Sequence, residues 1–190
     1  MRVIGTDAVQ GMVLELQDEM SQYRYQFGTR RNQFITEALS CGMSEAEADS
    51  YAIQSIGPVI PVVSMPTLAP GKTRPLSPLL AARYRYVGDW KDIGEHLPLP
   101  DEILRIAGTE QFRSWISDMR NYWVESAPYR FGDDRLSLLS VANEEEGHFS
   151  MLVWKESGEE PEVWTYASQH EYRFSHLLHW FKWLNGRSEE

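Results

Sequence analysis

From Val9 to Phe27, apolar residues recur at alternating steps of four and three (Val9, Val13, Leu16, Met20, Tyr23, Phe27), which places them on one stripe of a helix. Gly11 weakens that helix by roughly 1 kcal/mol relative to alanine. After Gly28 the pattern resumes at Phe34, Ile35, Ala38 and Leu39, and Gly42 stands where a helix-terminating glycine belongs. Ser44 followed by Glu47 fits a capping box, which predicts a third helix reaching to about Ile56. Residues 1–56 therefore read as a helical N-terminal region.

The texture changes at Gly57. Six of the ten prolines fall between Pro58 and Pro78, and each removes a backbone donor, so residues 57–88 read as a linker or an extended wrapping segment. Val59, Ile60, Val62 and Val63 predict that part of it packs against the body of the protein, since a free linker rarely carries such residues. From residue 98 the chain becomes regular again. A helix opens at Leu97-Pro98-Leu99-Pro100-Asp101-Glu102 and ends at Gly108, and Phe112, Trp115, Ile116, Met119 and Trp123 mark another. Three strands are predicted at Leu136 to Ala142, His148 to Trp154 and Glu162 to Ala167, joined by hairpin-length, turn-rich connections, and a last helix from about Tyr172 to Leu184. The fold class is α+β: an antiparallel meander sheet packed by helices and preceded by the helical N-terminal region, with residues 89–190 as the α+β domain.

Composition narrows the function classes. With 18 Lys and Arg against 28 Asp and Glu, the chain carries −10, which argues against a nucleic-acid partner. Cys41 is the single cysteine, which points to a reducing compartment. Asp7 precedes any apolar run at the N-terminus and no stretch approaches the length of a spanning helix, so the expectation is a cytoplasmic protein without a membrane partner.

The charge is not spread evenly. Residues 131–171 contain ten acids and two bases, a net −8, whereas the remainder of the chain carries −2. Most of these acids fall in the predicted hairpin connections and strand ends: Asp133 and Asp134, Glu144, Glu145 and Glu146, Glu156, Glu159 and Glu160. Such rims either discourage strand-to-strand aggregation or dock a basic partner, whose association complementary charge would accelerate. On the final helix, Phe174, Leu177, Leu178, Phe181 and Leu184 make a core stripe, which leaves Trp180 and Trp183 on the other side, either covered by the N-terminal helices or available to a partner or a second copy of the chain.

Motifs for chemistry are sparse. His176 and His179 stand three apart but lack a matching HExxH or cysteine pair, so no metal and no cofactor are expected. Gly71-Lys72-Thr73 resembles the end of a phosphate-binding loop, yet Pro66 occupies the place of its first glycine. Nothing singles out a catalytic acid pair or nucleophile.

Taken together, Leu97-Pro98-Leu99-Pro100-Asp101-Glu102-Ile103-Leu104, then Tyr129-Arg130-Phe131-Gly132-Asp133-Asp134, the hairpins, and Phe174-Ser175-His176-Leu177-Leu178 resemble the SUKH superfamily of cell-wall-assembly regulators and bacterial immunity proteins, over roughly residues 89–184. The chain departs from that pattern at Arg135-Leu136-Ser137 and in its long N-terminal half. The resemblance implies a non-catalytic binding module, in bacteria an immunity protein that occludes a toxin domain such as a nuclease. Acidic rims would suit the basic substrate groove of that partner. A regulatory or scaffolding interaction protein without a toxin is the alternative, with an unrecognised enzyme behind it.

Overall fold

The computed structural model describes residues 6–143, 147–155, 160–167 and 170–187. The N-terminal stripe forms α1 (Thr6–Tyr25), in which Leu16, Met20 and Tyr23 are buried. α2 (Phe27–Ser40) follows. Gly42, at φ 90°, terminates it, and the Met43 N–H turns back to the Ala38 carbonyl at 3.0 Å. The Ser44 hydroxyl accepts the Glu47 N–H at 3.3 Å and so caps α3 (Glu45–Tyr51). α3 stops short of the predicted Ile56. Ser55–Ile56 forms β1 instead, because Ser55 and Ile56 pair antiparallel with Lys91 and Trp90, and these sheet bonds outweigh local helix preference.

The proline-rich stretch is more structured than a linker. Residues 57–63 are extended, and β2 (Ser64–Pro66) and β3 (Thr73–Pro75) then form a separate antiparallel hairpin. This hairpin is fastened to the body by the Leu68 N–H to the Leu136 carbonyl (2.8 Å) and by the Ser137 hydroxyl to the Pro66 carbonyl (2.5 Å), with Met65 fully buried. The anchoring is thus made by Met65 and the hairpin backbone. Of the four residues expected to pack, only Val62 lies against the core, whereas Val59, Ile60 and Val63 are exposed, Val63 by 82%. Because the tip Pro70–Thr73 is exposed between paired strands, limited proteolysis is expected to cut within Ala69 to Arg74 and leave the two fragments associated. Full protection of that tip, or fragments that separate, would contradict this.

α4 (Pro78–Tyr86) begins with a Ser77 cap and Pro78 in the first turn, a start signal present in the sequence but hidden among the other prolines. β4 (Trp90–Asp92) and β5 (Glu95–Leu97) follow, then α5 (Pro100–Ala107), α6 (Glu110–Tyr122) and α7 (Ala127–Arg130). The expected three strands are present as β6 (Leu136–Asn143), β7 (His148–Val153) and β8 (Glu162–Ala167). β9 (His170–Phe174) occupies residues expected to begin the last helix, so α8 is confined to Leu177–Leu184. Phe174 lies in phase with Leu177, Leu178 and Phe181 for a helix, which is why the strand merged into the helical stripe.

Seven strands form one antiparallel sheet in the order β1-β4-β5-β6-β7-β8-β9. On one face Trp90 meets Tyr23 of α1 and Phe181 of α8, with ring centroids 5.6 and 6.0 Å apart. On the other, Phe149 meets Phe112 and Trp115 of α6. A single cluster of buried apolar residues runs from Leu16 and Met20 through Leu79, Leu80 and Trp90 to Leu178 and Phe181. The core therefore crosses the boundaries expected near residues 57 and 89, and α1, α4 and the meander fold around the same interior. Among the described residues, no helix is long and apolar enough to cross a membrane.

Candidate functional site

The acidic rim resolves into side chains with different fates. Asp133 is paired with Arg120, and the Asp134 carboxylate lies 3.6 Å from Arg74, whose Nε also donates to the Asp134 carbonyl. Glu160 is turned inward: its carboxylate accepts the Ser77 hydroxyl at 2.6 Å and the Leu79 N–H at 2.9 Å, so it holds the start of α4. Glu162 takes Lys155 at 2.5 Å and the Trp164 indole N–H at 2.9 Å, and Glu171 takes Arg173 at 2.6 Å. Glu160 is thereby corrected from a docking residue to a structural one. Glu144, Glu145, Glu146, Glu156 and Glu159 lie outside the described residues.

The tryptophans also part company. Trp180 is 0% exposed, donates its indole N–H to Thr165 at 3.0 Å and meets Phe181, so it belongs to the core and offers nothing to a partner. The reason is that α8 is apolar nearly all round and lies between the sheet and α1, which buries both of its sides. Trp183 is half-buried against Tyr172 and Phe174 of the edge strand, at centroid distances of 5.5 and 5.3 Å. The His176 and His179 rings lie 3.9 Å apart, tilted by 44°, and no cluster of three or more His, Cys, Asp or Glu that could hold a metal ion forms among the described residues.

Three concavities stand out. A groove of about 760 Å³ runs between residues 60–64 and the start of α5, past Asp89, Lys91 and His96. His96 Nε2 sits 2.8 Å from Asp89 Oδ1, a contact that orients the imidazole. Ser64 lines the same groove, but no hydrogen bond joins its hydroxyl to His96 among the described residues, so a nucleophile and base are not assembled there. A second groove, about 690 Å³, follows α5 and α6 beside Leu68 and Pro70.

The third is a smaller cavity of about 290 Å³ at one end of the sheet, lined by Tyr23, Arg30, Glu95, Phe149, Tyr166 and Trp183, of which Phe149 and Tyr166 turn their rings to the opposite face, toward α6 and α7. Arg30 lies over the Tyr23 ring at 3.7 Å and reaches Asp92 at 2.7 Å. The Asp92 carboxylate also accepts Gln54 Nε2 (2.9 Å) and the Ile93 N–H (2.8 Å), so this fully buried acid is satisfied. Glu95 is not. It is 7% exposed, and its Oε2 is buried without a hydrogen-bond partner. Burial pushes its pKa up to about 8, with the negative Asp92 adding to the rise and the Ser140 hydroxyl offsetting part of it. Burial also drives the Tyr23 and Tyr166 phenols well above their ordinary range. Glu95 belongs to a polar row across four neighbouring strands, with Ser140, Ser150 and Thr165, in which Ser150 and Thr165 are 2.8 Å apart. Motif reasoning did not find this centre, because its members come from α1, α2 and three or more strands and no short spacing joins them.

No family model, curated protein or solved structure matches the chain.

Proposed function

We propose that the chain is a non-catalytic binding protein that captures a basic protein domain through acidic connections of its meander, the form implied by the SUKH resemblance being an immunity protein that occludes a toxin such as a nuclease. What supports the reading is where charge can stand on this sheet. The interiors of β7 and β8 are buried on both faces, so the acids between residues 144 and 160 are concentrated in the connections rather than along the strands. With Asp133, Asp134 and Glu160 engaged inside the chain, docking falls to Glu144, Glu145 and Glu146 and to Glu156 and Glu159. A regulatory or scaffolding role is the second reading, favoured by the exposed Val59, Ile60 and Val63 beside the 760 Å³ groove.

Charge reversal separates the two. Lysine at Glu144, Glu145 and Glu146 together, or at Glu156 and Glu159, is expected to slow association with a basic toxin domain, which this reading expects to be encoded beside the gene, by about tenfold at low salt, and the parent rate itself to fall as salt approaches 0.1 M. Val63→Glu with Ile60→Glu should leave that rate unchanged. If the charge-reversed proteins protect and associate like the parent while the Val63 and Ile60 pair abolishes binding, the groove is the docking surface and the acidic reading fails.

A further inference from the structure

The two edges of the seven-stranded sheet are unlike. β1 has two residues and runs into Pro58 and Pro61, which lack the N–H that an added strand would need. β9, at the other edge, has five residues, His170-Glu171-Tyr172-Arg173-Phe174, with neither proline nor lysine, and it pairs with β8 without a register shift. Among the described residues, no hydrogen bond joins the main chain of β9 to anything but β8, so its outward N–H and C=O groups are open to another strand. The side chains alternate across the strand. On the α8 face Tyr172 is 40% exposed and stands between His170 and the half-buried Trp183, with ring centroids 6.4 and 5.5 Å away. On the α7 face Glu171 pairs with Arg173 at 2.6 Å, and the Arg173 guanidinium lies over the Trp164 ring at 3.9 Å.

This strand is self-complementary about Tyr172. Laid antiparallel against a second β9 with Tyr172 on the two-fold axis, Tyr172 faces its own copy, His170 faces Phe174, and Glu171 faces Arg173 on both sides of the axis. Because Glu171 already pairs with Arg173 along its own strand, the four charges alternate in sign around the axis. The neighbouring registers lack this match. Centring on Glu171 sets two carboxylates face to face and centring on Arg173 sets two guanidinium groups, and like charges directly opposite are destabilising. We propose that the chain forms a two-fold dimer by pairing β9 with β9 of a second copy, which joins the two sheets into one. The contact is isologous and uses up the edge, so assembly stops at two. It does not rest on the docking reading, since the acidic connections at residues 144–146 and 156–159 join β6, β7 and β8 rather than β9.

Sedimentation equilibrium is expected to show the mass rising from monomer toward dimer between about 1 and 200 μM. Tyr172→Lys puts two ammonium groups opposite each other on the axis and should weaken dimerisation at least about tenfold. A pair of cysteine variants tests the register, in a Cys41→Ser background that removes the exposed native thiol. Tyr172→Cys should oxidise to a disulfide-linked dimer, because directly opposed residues of antiparallel strands stand about 4.5–5.5 Å apart at Cα, within disulfide reach. His170→Cys should cross-link at least about tenfold more slowly, since the two copies of residue 170 lie roughly 14 Å apart along the strands. Should Tyr172→Lys fail to fold, the cysteine pair decides. A monomer at every concentration, a dimer untouched by Tyr172→Lys, or cross-linking as fast at residue 170 as at residue 172 would each overturn the proposal.

Discussion

Arg83→Met is expected to destabilise the protein by about 3–5 kcal/mol, a large part of the roughly 5–15 kcal/mol that holds a domain folded. Arg83 lies in α4 with 1% of its surface exposed, and its guanidinium donates to the carbonyls of Val87 (2.8 Å), Gly88 (2.7 Å) and Leu97 (2.8 Å). Burial lowers its pKa, but a guanidinium keeps its proton at any ordinary pH, so the charge is retained for these three acceptors and stacks on the Tyr84 ring at 4.4 Å. Methionine fills the volume and removes the Arg83 donors from all three carbonyls. The same junction is closed from the other side by Gly88, where an added Cβ would stand 2.0 Å from the Pro58 carbonyl oxygen. Gly88→Ala must therefore push the 57–58 segment away from β4 and break the bond from the Gly57 N–H to the Asp89 carbonyl, now 2.7 Å. Denaturant titration followed by circular dichroism checks both variants, and in heating the Arg83→Met midpoint should fall by about 10 °C. A loss below about 1 kcal/mol for Arg83→Met would mean that those carbonyls find other donors.

The junction shows why part of this fold was legible in the sequence and part was not. Where a feature is written within a few residues, it could be read: Gly42 and Ser44 around the α2–α3 turn, Gly108 after α5, the Phe112 to Trp123 stripe of α6, and the three long strands of the meander. β1, β4 and β5 have two or three residues each, too few to show an alternation, and they exist because they pair with one another and with β6. Arg83 reads as one of several basic residues in an acid-free stretch, and only the packing of α4 turns it inward. The same holds for the acids. Asp133, Asp134 and Glu160 look alike in sequence, yet Glu160 caps a helix 81 residues away in the chain, a pairing that local charge counting does not reveal. Glu95 stood out least, a single acid at the start of a three-residue strand, because its surroundings are assembled from distant elements.

Glu95 should also leave its mark on stability as a function of pH. Its pKa in the folded protein is about 8, against 4.5 for the free side chain, so the folded state keeps a proton that the unfolded chain has released between those values. Wherever the folded state binds more protons than the unfolded one, stability falls as pH rises. The contribution of this group is thus most favourable below about pH 4.5, declines steadily to about pH 8, and is flat beyond. The full decline is on the order of 5 kcal/mol. Glu95→Gln keeps the shape and the capacity to donate, but has no proton to lose. The variant should therefore match the parent near pH 4.5 and exceed its stability by that amount at pH 9, and because all other titrating groups are shared, the difference between the two isolates this one. Urea denaturation of both proteins at pH 5, 7 and 9 reads it directly. A difference that stays constant across the three values would show that Glu95 ionises in the folded protein as it does in water, with solvent or a counter-charge already beside it.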